Sequence, residues 1–215
     1  MKPTISKSTA CIIMAAAYIL WLLIINLVKI SKWSVNFYLN STLSTLFSLI
    51  HCLLFFYLVC ILKSKHEKKS ITISFLIFVL LGMLSIPLNF PVFQIQSIML
   101  TIGALAAIAV LNMAFQSFRV TDYTTATGFK LLGLTMTFKV AAQIGLPFIW
   151  GYLADNFSIA YAYLSFIPPI LEFFVTLAVI FIFFEAYKEQ KEQYYQLQHT
   201  EASRTFIPNP LDLQE

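Results

Sequence analysis

Charged residues and glycine are scarce in this sequence. Of its 215 residues, 11% are charged and six are glycine, whereas 59% are hydrophobic. A soluble domain of this composition would expose large apolar patches, and the mean hydropathy of +0.80 instead indicates an integral membrane protein. The scarcity of glycine excludes a glycine-rich, low-complexity chain.

Cysteine is scarce as well, and its placement excludes a disulfide framework. Cys11, Cys52 and Cys60 all fall inside apolar runs, where cysteine behaves as a small buried hydrophobe. We therefore predict no metal site, redox role or cofactor. The net charge of +4 comes mainly from basic residues in short segments between apolar runs. That pattern is typical of membrane topology rather than of nucleic-acid binding.

Long hydrophobic runs, in contrast, are abundant. Six of them approach or exceed the roughly 20 residues that a helix needs to cross a bilayer: 9–29, 39–62, 70–88, 92–117, 125–153 and 159–184. Pro87 and Pro91 flank Asn89 after the third run and predict a tight turn into the fourth. We therefore predict an all-α transmembrane domain over residues 1–184. The polar, glutamine-rich stretch 185–215 is expected to extend the sixth helix into water and to end in disorder.

Lysine and arginine are distributed asymmetrically between these runs. The segments on the side of the N-terminus carry Lys2, Lys7, Lys63, Lys65, Lys68, Lys69, Arg119, Lys130, Lys188, Lys191 and Arg204. The segments on the other side carry only Lys29 and Lys32. By the positive-inside rule, we predict that both termini are cytoplasmic, in a plasma membrane of the bacterial inner-membrane type.

The stretch "ATGFKLLGLTMTFKVAAQIGLPFIWGYLADNFSIAYAYLSF", residues 126–166, resembles the eleventh helix and following loop of a major facilitator superfamily transporter. In that family the helix commonly ends in a proline, paired glycines and a short "LAD" exit. "PFIWGYLAD" matches with Pro147, Gly151 and Asp155, and Trp150 replaces the first paired glycine. The resemblance implies a bundle with 3+3 inverted repeats that transports a small solute by alternating access.

Two departures from the family bear on what the chain does. "KSKHEKKS" at 63–70 replaces the signature loop between helices two and three, which favours the C-terminal half of the family's fold. The chain also supplies six helices where the whole fold has twelve. The resemblance therefore implies a half-transporter that pairs with a second copy or with a separate N-terminal half, or else a truncated remnant. No residue pattern identifies the substrate, its direction of transport or a coupling ion.

Small residues recur every four positions along the fifth run. They form one ridge of a helix: Gly133, Thr137, Ala141 and Gly145. Such a ridge predicts close approach of another helix, either as ordinary packing or as a sliding contact between two halves of a transporter. Pro147, with the flanking glycines up to Gly151, is expected to weaken or kink the outer end of this helix.

Three ionisable residues fall near the centres of predicted spans: His51, Lys139 and Glu172. A charge at the bilayer midplane is costly, so each is a functional-site hypothesis, and antiparallel neighbouring helices would allow Lys139 and Glu172 to meet. Gln143, one turn from Lys139, is the expected polar neighbour. Two interpretations stand: a structural ion pair, or a coupled proton on Glu172 or His51, with Lys139 biasing its release or binding an anionic substrate group.

The apolar runs contain no known catalytic motif. No Gly-x-Ser-x-Gly, His-Glu-x-x-His or paired-glutamate pattern lies inside the runs, so we predict that the protein is not an enzyme.

Pro168 and Pro169 precede Glu172 and are expected to disturb the sixth helix near its centre. The competing functional class is a membrane interaction protein that transports nothing and whose tail, 185–215, binds a cytoplasmic partner.

Overall fold

The computed structural model describes residues 4–30, 37–90, 96–156 and 167–205. It is helical throughout its regular elements: α1 (Ile5–Ile30), α2 (Phe37–Ser64), α3 (Lys69–Ser85), a 3-10 turn (Ile86–Asn89), α4 (Gln96–Ser117), α5 (Ala126–Asn156) and α6 (Ile167–Thr205). The all-α prediction is confirmed. The first residues of the predicted fourth and sixth runs, 92–95 and 159–166, and also Pro91, lie outside the described residues.

Five of these helices are long and apolar enough to cross a membrane: α1, α2, α3, α4 and α6. The protein is therefore a multi-pass membrane protein by helix length and composition. The predicted fifth run does form a helix, α5, but this helix is not among the five. Its described part carries Lys130, Lys139 and Gln143, whose polar side chains oppose insertion into hydrocarbon.

The helices form a closed ring. Each packs against its neighbours in sequence, and α6 closes the ring against α1. Successive helices run in opposite directions, so the connections alternate between two ends of the bundle. We call the end with connections 65–68 and 118–125 the basic end, and the end with the turn 86–90 the opposite end.

The core is concentrated towards the basic end. In α1 no described residue after Ala15 is buried, and in α3 none after Val79. In α4 the first buried residue is Ala109, and in α6 it is Val175. Because these boundaries fall near the middle of each helix, the bundle is tightly packed in the half nearer the basic end and loosely packed in the half nearer the opposite end.

Large side chains from four helices fill the packed half. They include Phe55 and Leu58 of α2, Phe75 of α3, Phe129 and Met136 of α5, and Val179 and Phe183 of α6. Phe55, Phe75, Phe129 and Phe183 are each no more than 1% exposed. Ring contacts such as Phe75 on Phe129, with centroids 5.6 Å apart, join α3 to α5 across the bundle. Close aromatic packing of this kind leaves little room for water.

Helix α2 ends in a Schellman motif. The amide of Glu67 donates to the carbonyl of Leu62 at 3.1 Å, and that of His66 donates to the carbonyl of Lys63 at 3.3 Å. His66 occupies the left-handed position with φ of 54°, where glycine is the usual residue. The motif turns the chain sharply from α2 into the basic connection.

Two expectations concern the sixth predicted run. Pro168 and Pro169 lie in the first turn of α6 as it is described, where proline is tolerated. Residues 157–166, which precede them, lie outside the described residues, so the predicted disturbance of this run stays a prediction. Helix α6 also continues from the predicted end at 184 to Thr205 without a break, so the first part of the tail is helical as expected.

Candidate functional site

Glu172 is the centre of a polar cluster in the middle of the bundle. Lys139 of α5 donates to its Oε2 and forms an ion pair with it. The hydroxyl of Tyr18, on α1, donates to Oε1 at 3.1 Å. Nδ1 of His51, on α2, lies 3.6 Å from the same Oε1. One carboxylate thus contacts side chains from three other helices.

The cluster is largely shielded from solvent. The exposed fractions of the His51, Lys139 and Glu172 side chains are 18%, 20% and 13%. Charged groups removed from water are costly unless they are paired and hydrogen-bonded. Lys139 compensates the charge of Glu172, and Tyr18 supplies a further hydrogen bond. The arrangement stabilises a carboxylate in a setting that would otherwise disfavour it.

Aromatic rings fix the position of His51. Its ring stacks on Phe55 with centroids 4.7 Å apart and meets the edge of Phe78 at 6.1 Å. Tyr18 contacts it from α1 at 5.4 Å. Because the imidazole is held on several sides, its Nδ1 remains directed at Glu172.

A cavity of about 310 Å³ adjoins the cluster. All six helices contribute to its lining: Tyr18, Ser48, His51, Cys52, Phe78, Leu81, Gly82, Ser85, Ala106, Lys139 and Glu172. A volume of this size suits a small solute. Its wall combines one ion pair, hydroxyl groups and apolar side chains, which is a typical composition for a ligand site.

The two ends of the bundle differ in how they adjoin this cavity. Towards the basic end lies the tightly packed layer around Phe55 and Phe75. Towards the opposite end, hydroxyls continue the polar lining: the amide of Asn89 donates to Thr45 and Ser48, at 3.4 Å in each case. Polar side chains therefore continue from the cavity towards the opposite end.

The structure brings three of the predicted site residues together. His51, Lys139 and Glu172 lie together, and the predicted pairing of Lys139 with Glu172 is present. Gln143 is not part of the site, because it is exposed and does not line the cavity. Four residues turn a helix by 400°, so Gln143 is rotated about 40° from Lys139. In the loosely packed half, that rotation suffices to direct it outwards.

The ridge of small residues makes the predicted close contact at one point. A Cβ on Gly133 would lie 2.7 Å from the carbonyl oxygen of Ala114 on α4, so the two helices approach closely there. Further along the ridge, Thr137 and Ala141 are exposed, and a Cβ on Gly145 would meet nothing within 4 Å. The close approach thus ends where the bundle loosens.

The expected weak point at the end of α5 is not a break. Helix α5 continues through Pro147 and Gly151 to Asn156. The side chains from 150 to 156, and those of Pro147 and Phe148, lie outside the described residues, so the predicted gating role of this segment stays a prediction.

Sequence reasoning missed Tyr18. A tyrosine inside an apolar run resembles any other large hydrophobe, although its hydroxyl needs a partner when it is buried. That requirement was the one available signal. The hydroxyl of Ser85 was missed for a related reason, since serine is common in membrane helices and bonds its own backbone, as Ser85 does with the carbonyl of Gly82.

A second polar cluster ties the basic end together. Lys65 forms an ion pair with Glu189 of α6, donates to Thr124 at 3.2 Å and lies 3.4 Å from Asp122. Glu67 accepts hydrogen bonds from the backbone amides of Thr121 and Asp122, at 2.8 and 2.7 Å. These contacts join both basic-end connections to the extension of α6.

Asp122 is the best-defined acidic group of this second cluster. Partial burial alone would raise its pKa, but hydrogen bonds from Thr124 and Thr125 and the charge of Lys65 outweigh it and lower the pKa below the ordinary value. The same carboxylate accepts from the amide of Thr125 at 3.1 Å, just before α5 begins. It therefore caps α5 as well as anchoring Lys65.

No group of His, Cys, Asp and Glu residues that could hold a metal ion occurs in the described parts of the chain. Comparison with known proteins gave no match to a family model, to a curated protein or to a solved structure. The resemblance to the major facilitator superfamily therefore rests on residues 126–166 alone.

Proposed function

We propose that this protein transports a small solute across a membrane, with the cluster around Glu172 as the binding site. The observation that carries the proposal is the cavity beside the ion pair: Tyr18, His51, Lys139 and Glu172 line it from four helices, and polar side chains continue from it towards the opposite end. We infer that the site is reached from that end only. A midspan site reached from one side at a time is what alternating access requires. A purely structural ion pair needs no cavity beside it.

The proposal includes six spans, with α5 as the sixth. A helix with an internal lysine is costly to insert, but Lys139 is compensated by Glu172 inside the bundle. The distribution of Lys and Arg supports a cytoplasmic position of the basic end and of both termini, in a bacterial inner membrane. On this orientation, the cavity around Glu172 is open towards the outside and closed towards the cytoplasm.

The chain supplies the equivalent of one half of a transporter of the major facilitator type. We propose that it works with a second half, either another copy of itself or a separately encoded N-terminal half. Rocking of the two halves would expose the site to each side in turn. The bilayer and this second half are the partners that the proposal requires.

The arrangement of the cluster supports coupling to a proton. A proton on Glu172 would cancel its attraction for Lys139 and free the ammonium group for an anionic substrate group. His51 is close enough to exchange a proton with the same carboxylate, directly or through one water. Tyr18 keeps the carboxylate in place during that exchange. The substrate class itself is not part of the proposal.

Thiol accessibility tests the one-ended site without knowledge of the substrate. In a background without the native cysteines, Ser48→Cys places a thiol in the cavity wall. It should react with a membrane-impermeant maleimide that is added outside intact cells. Ala178→Cys is the control, because Ala178 is fully buried in the packed half and should stay unlabelled. An unreactive thiol at 48, with folded protein, contradicts the proposal.

Proton flux provides the functional test. Liposomes that contain the protein and a pH-sensitive dye are exposed to a panel of small solutes, and a solute-dependent pH change is recorded. Glu172→Gln should abolish any such change. Glu192→Gln, at an exposed position of the α6 extension, should leave it intact. Equal flux in the Glu172→Gln protein would refute the assignment of the site.

A second candidate function is favoured by the extension of α6. It continues as a helix to Thr205, and Tyr194, Tyr195 and Leu197 on it are at least half exposed, as in a protein interaction surface. A chain that ends after Gln193 keeps Glu189 and Gln190, which contact Lys65 and Ser8. A transporter should retain its flux after this truncation, whereas an adaptor should lose its partner.

A further inference from the structure

A second cavity, of about 530 Å³, lies at the basic end between the last turn of α2 and the extension of α6. Its lining consists of Cys60, Ile61, Lys63, Ser64, Lys65, His66, Ala186, Glu189, Gln190 and Gln193. It shares no residue with the cavity around Glu172. The proposed transport function does not use it.

The basic side chains that line this cavity are not equivalent. Lys65 is paired with two carboxylates, Asp122 and Glu189, and Glu189 also lines the cavity. Lys63 and His66 have no acidic partner within the described parts of the chain. The one carboxylate in the α2–α3 connection, Glu67, is turned away and accepts from backbone amides of the α4–α5 connection. The cavity therefore presents the ammonium group of Lys63 without a counter-ion, and the ring of His66 as a further polar group.

The surroundings extend this positive character. Lys68 and Lys69 follow in sequence, and both are exposed. No acidic side chain pairs with either of them in the described structure. An anion that enters the cavity thus meets a segment whose lysines, apart from Lys65, lack negative neighbours. Such a segment beside a membrane helix attracts anionic groups.

The inner wall of the cavity is apolar. Most of the surface that lines it is apolar. Cys60 and Ile61 border the cavity just inside the point where the α2 span ends, at Ser64. A free anion would have no favourable contact with this wall. A ligand with a phosphate group next to hydrocarbon satisfies both parts of the cavity.

His66 adds a further indication. It occupies the left-handed position of the Schellman motif, where glycine would fit without strain. The imidazole ring is exposed and lines the cavity, where its N–H can donate to an acceptor. Glycine would relieve the backbone strain at this position, but it would remove the imidazole ring from the cavity.

We propose that this cavity binds the phosphate headgroup of an acidic glycerophospholipid. Lys63 and His66 donate to the phosphate oxygens, and the glycerol and first acyl carbons lie against the apolar part of the lining. Inorganic phosphate shares the headgroup chemistry but lacks the apolar part. The inference is independent of transport and holds for either function proposed above.

Native mass spectrometry of the full chain in a non-ionic detergent tests this site. The protein is offered phosphatidylglycerol and phosphatidylcholine in equal amounts, and retained lipid is counted. The wild type should retain phosphatidylglycerol preferentially. Lys63→Gln should reduce this preference about fivefold, and Lys63→Gln with His66→Gly further still. Lys130→Gln, an exposed lysine that does not line the cavity, should leave it unchanged.

Several outcomes would overturn the proposal. One is equal retention of both lipids by the wild type, and another is an unchanged preference in the Lys63→Gln and His66→Gly protein. Loss of the preference in Lys130→Gln would show general surface attraction instead of a site. If excess inorganic phosphate displaces the lipid completely, the ligand is a soluble anion. Lys63→Arg retains the charge and should retain the preference, which separates lost binding from poor folding.

Discussion

Lys139 on α5 and Glu172 on α6 form an ion pair inside the bundle, although 33 positions separate them in sequence. The pair lies at the boundary between the tightly packed half and the loosely packed half. It is therefore shielded from lipid while one side of it faces a cavity. This position makes the pair both a determinant of stability and the centre of the proposed site.

The first prediction compares the loss of one member of the ion pair with the loss of both. Lys139→Met should lower the free energy of unfolding by about 3 kcal/mol, because it leaves the Glu172 carboxylate buried without a counter-ion. Lys139→Met with Glu172→Leu should recover most of that loss. An SDS titration of the purified protein measures both, with Lys130→Met as the exposed control. A double variant that is no more stable than the single one would show that the pair is not coupled.

The second prediction concerns Tyr18, which the sequence did not single out. Tyr18→Phe removes the hydrogen bond to Glu172 and should destabilise the protein by about 1.5 kcal/mol, as is usual for a bond to a charged acceptor. Tyr195→Phe, at a half-exposed position, should change stability by less than about 0.5 kcal/mol. Thermal unfolding in detergent compares the two variants. Equal effects would mean that the contact contributes nothing.

The third prediction is a pH dependence at the basic end. The pKa of Asp122 is lowered in the folded protein, so its contribution to stability is present above the unfolded pKa of about 3.9. That contribution is lost as the pH falls through the lower, folded value. Melting temperatures measured between pH 6 and pH 3 should fall more steeply for the wild type than for Asp122→Asn. Glu192→Gln, as control, should follow the wild type.

The fourth prediction tests the strain at His66. His66→Gly should raise the free energy of unfolding by up to about 1 kcal/mol, because a left-handed conformation costs L-residues roughly that much. Ser64→Gly, inside the last turn of α2, should lower it by a similar amount. Chemical denaturation in detergent measures both changes. Destabilisation by His66→Gly would indicate that the imidazole makes stabilising contacts that outweigh the strain.

The fifth prediction compares two glycines of the small-residue ridge. Gly133→Ala should cost about 1–3 kcal/mol, since its Cβ would overlap the carbonyl of Ala114. Gly145→Ala should be neutral or stabilising by about 0.5–1 kcal/mol, because nothing lies within 4 Å and alanine favours helix. Unfolding measurements on the two variants decide the matter. If Gly145→Ala is the more damaging change, a second chain covers that part of the ridge in solution.

Part of the candidate site was predictable from the positions of ionisable residues within the apolar runs. His51, Lys139 and Glu172 interrupt apolar runs near their centres, and helices of similar length bring such positions to one depth. The orientation of each residue around its helix axis was not predictable in the same way. Gln143 seemed to share the face of Lys139, yet a rotation of about 40° and the looser packing direct it outwards.

The sequence by itself determined the helical class and the multi-pass membrane character, because the length and apolarity of each run are local properties. It also determined which ionisable groups fall near the centres of the apolar runs. Only the tertiary structure decided that Tyr18 meets Glu172, that Lys65 joins three segments, and that one half of the bundle is packed while the other is loose. These features depend on how six helices rotate and tilt against one another, which many side chains decide together.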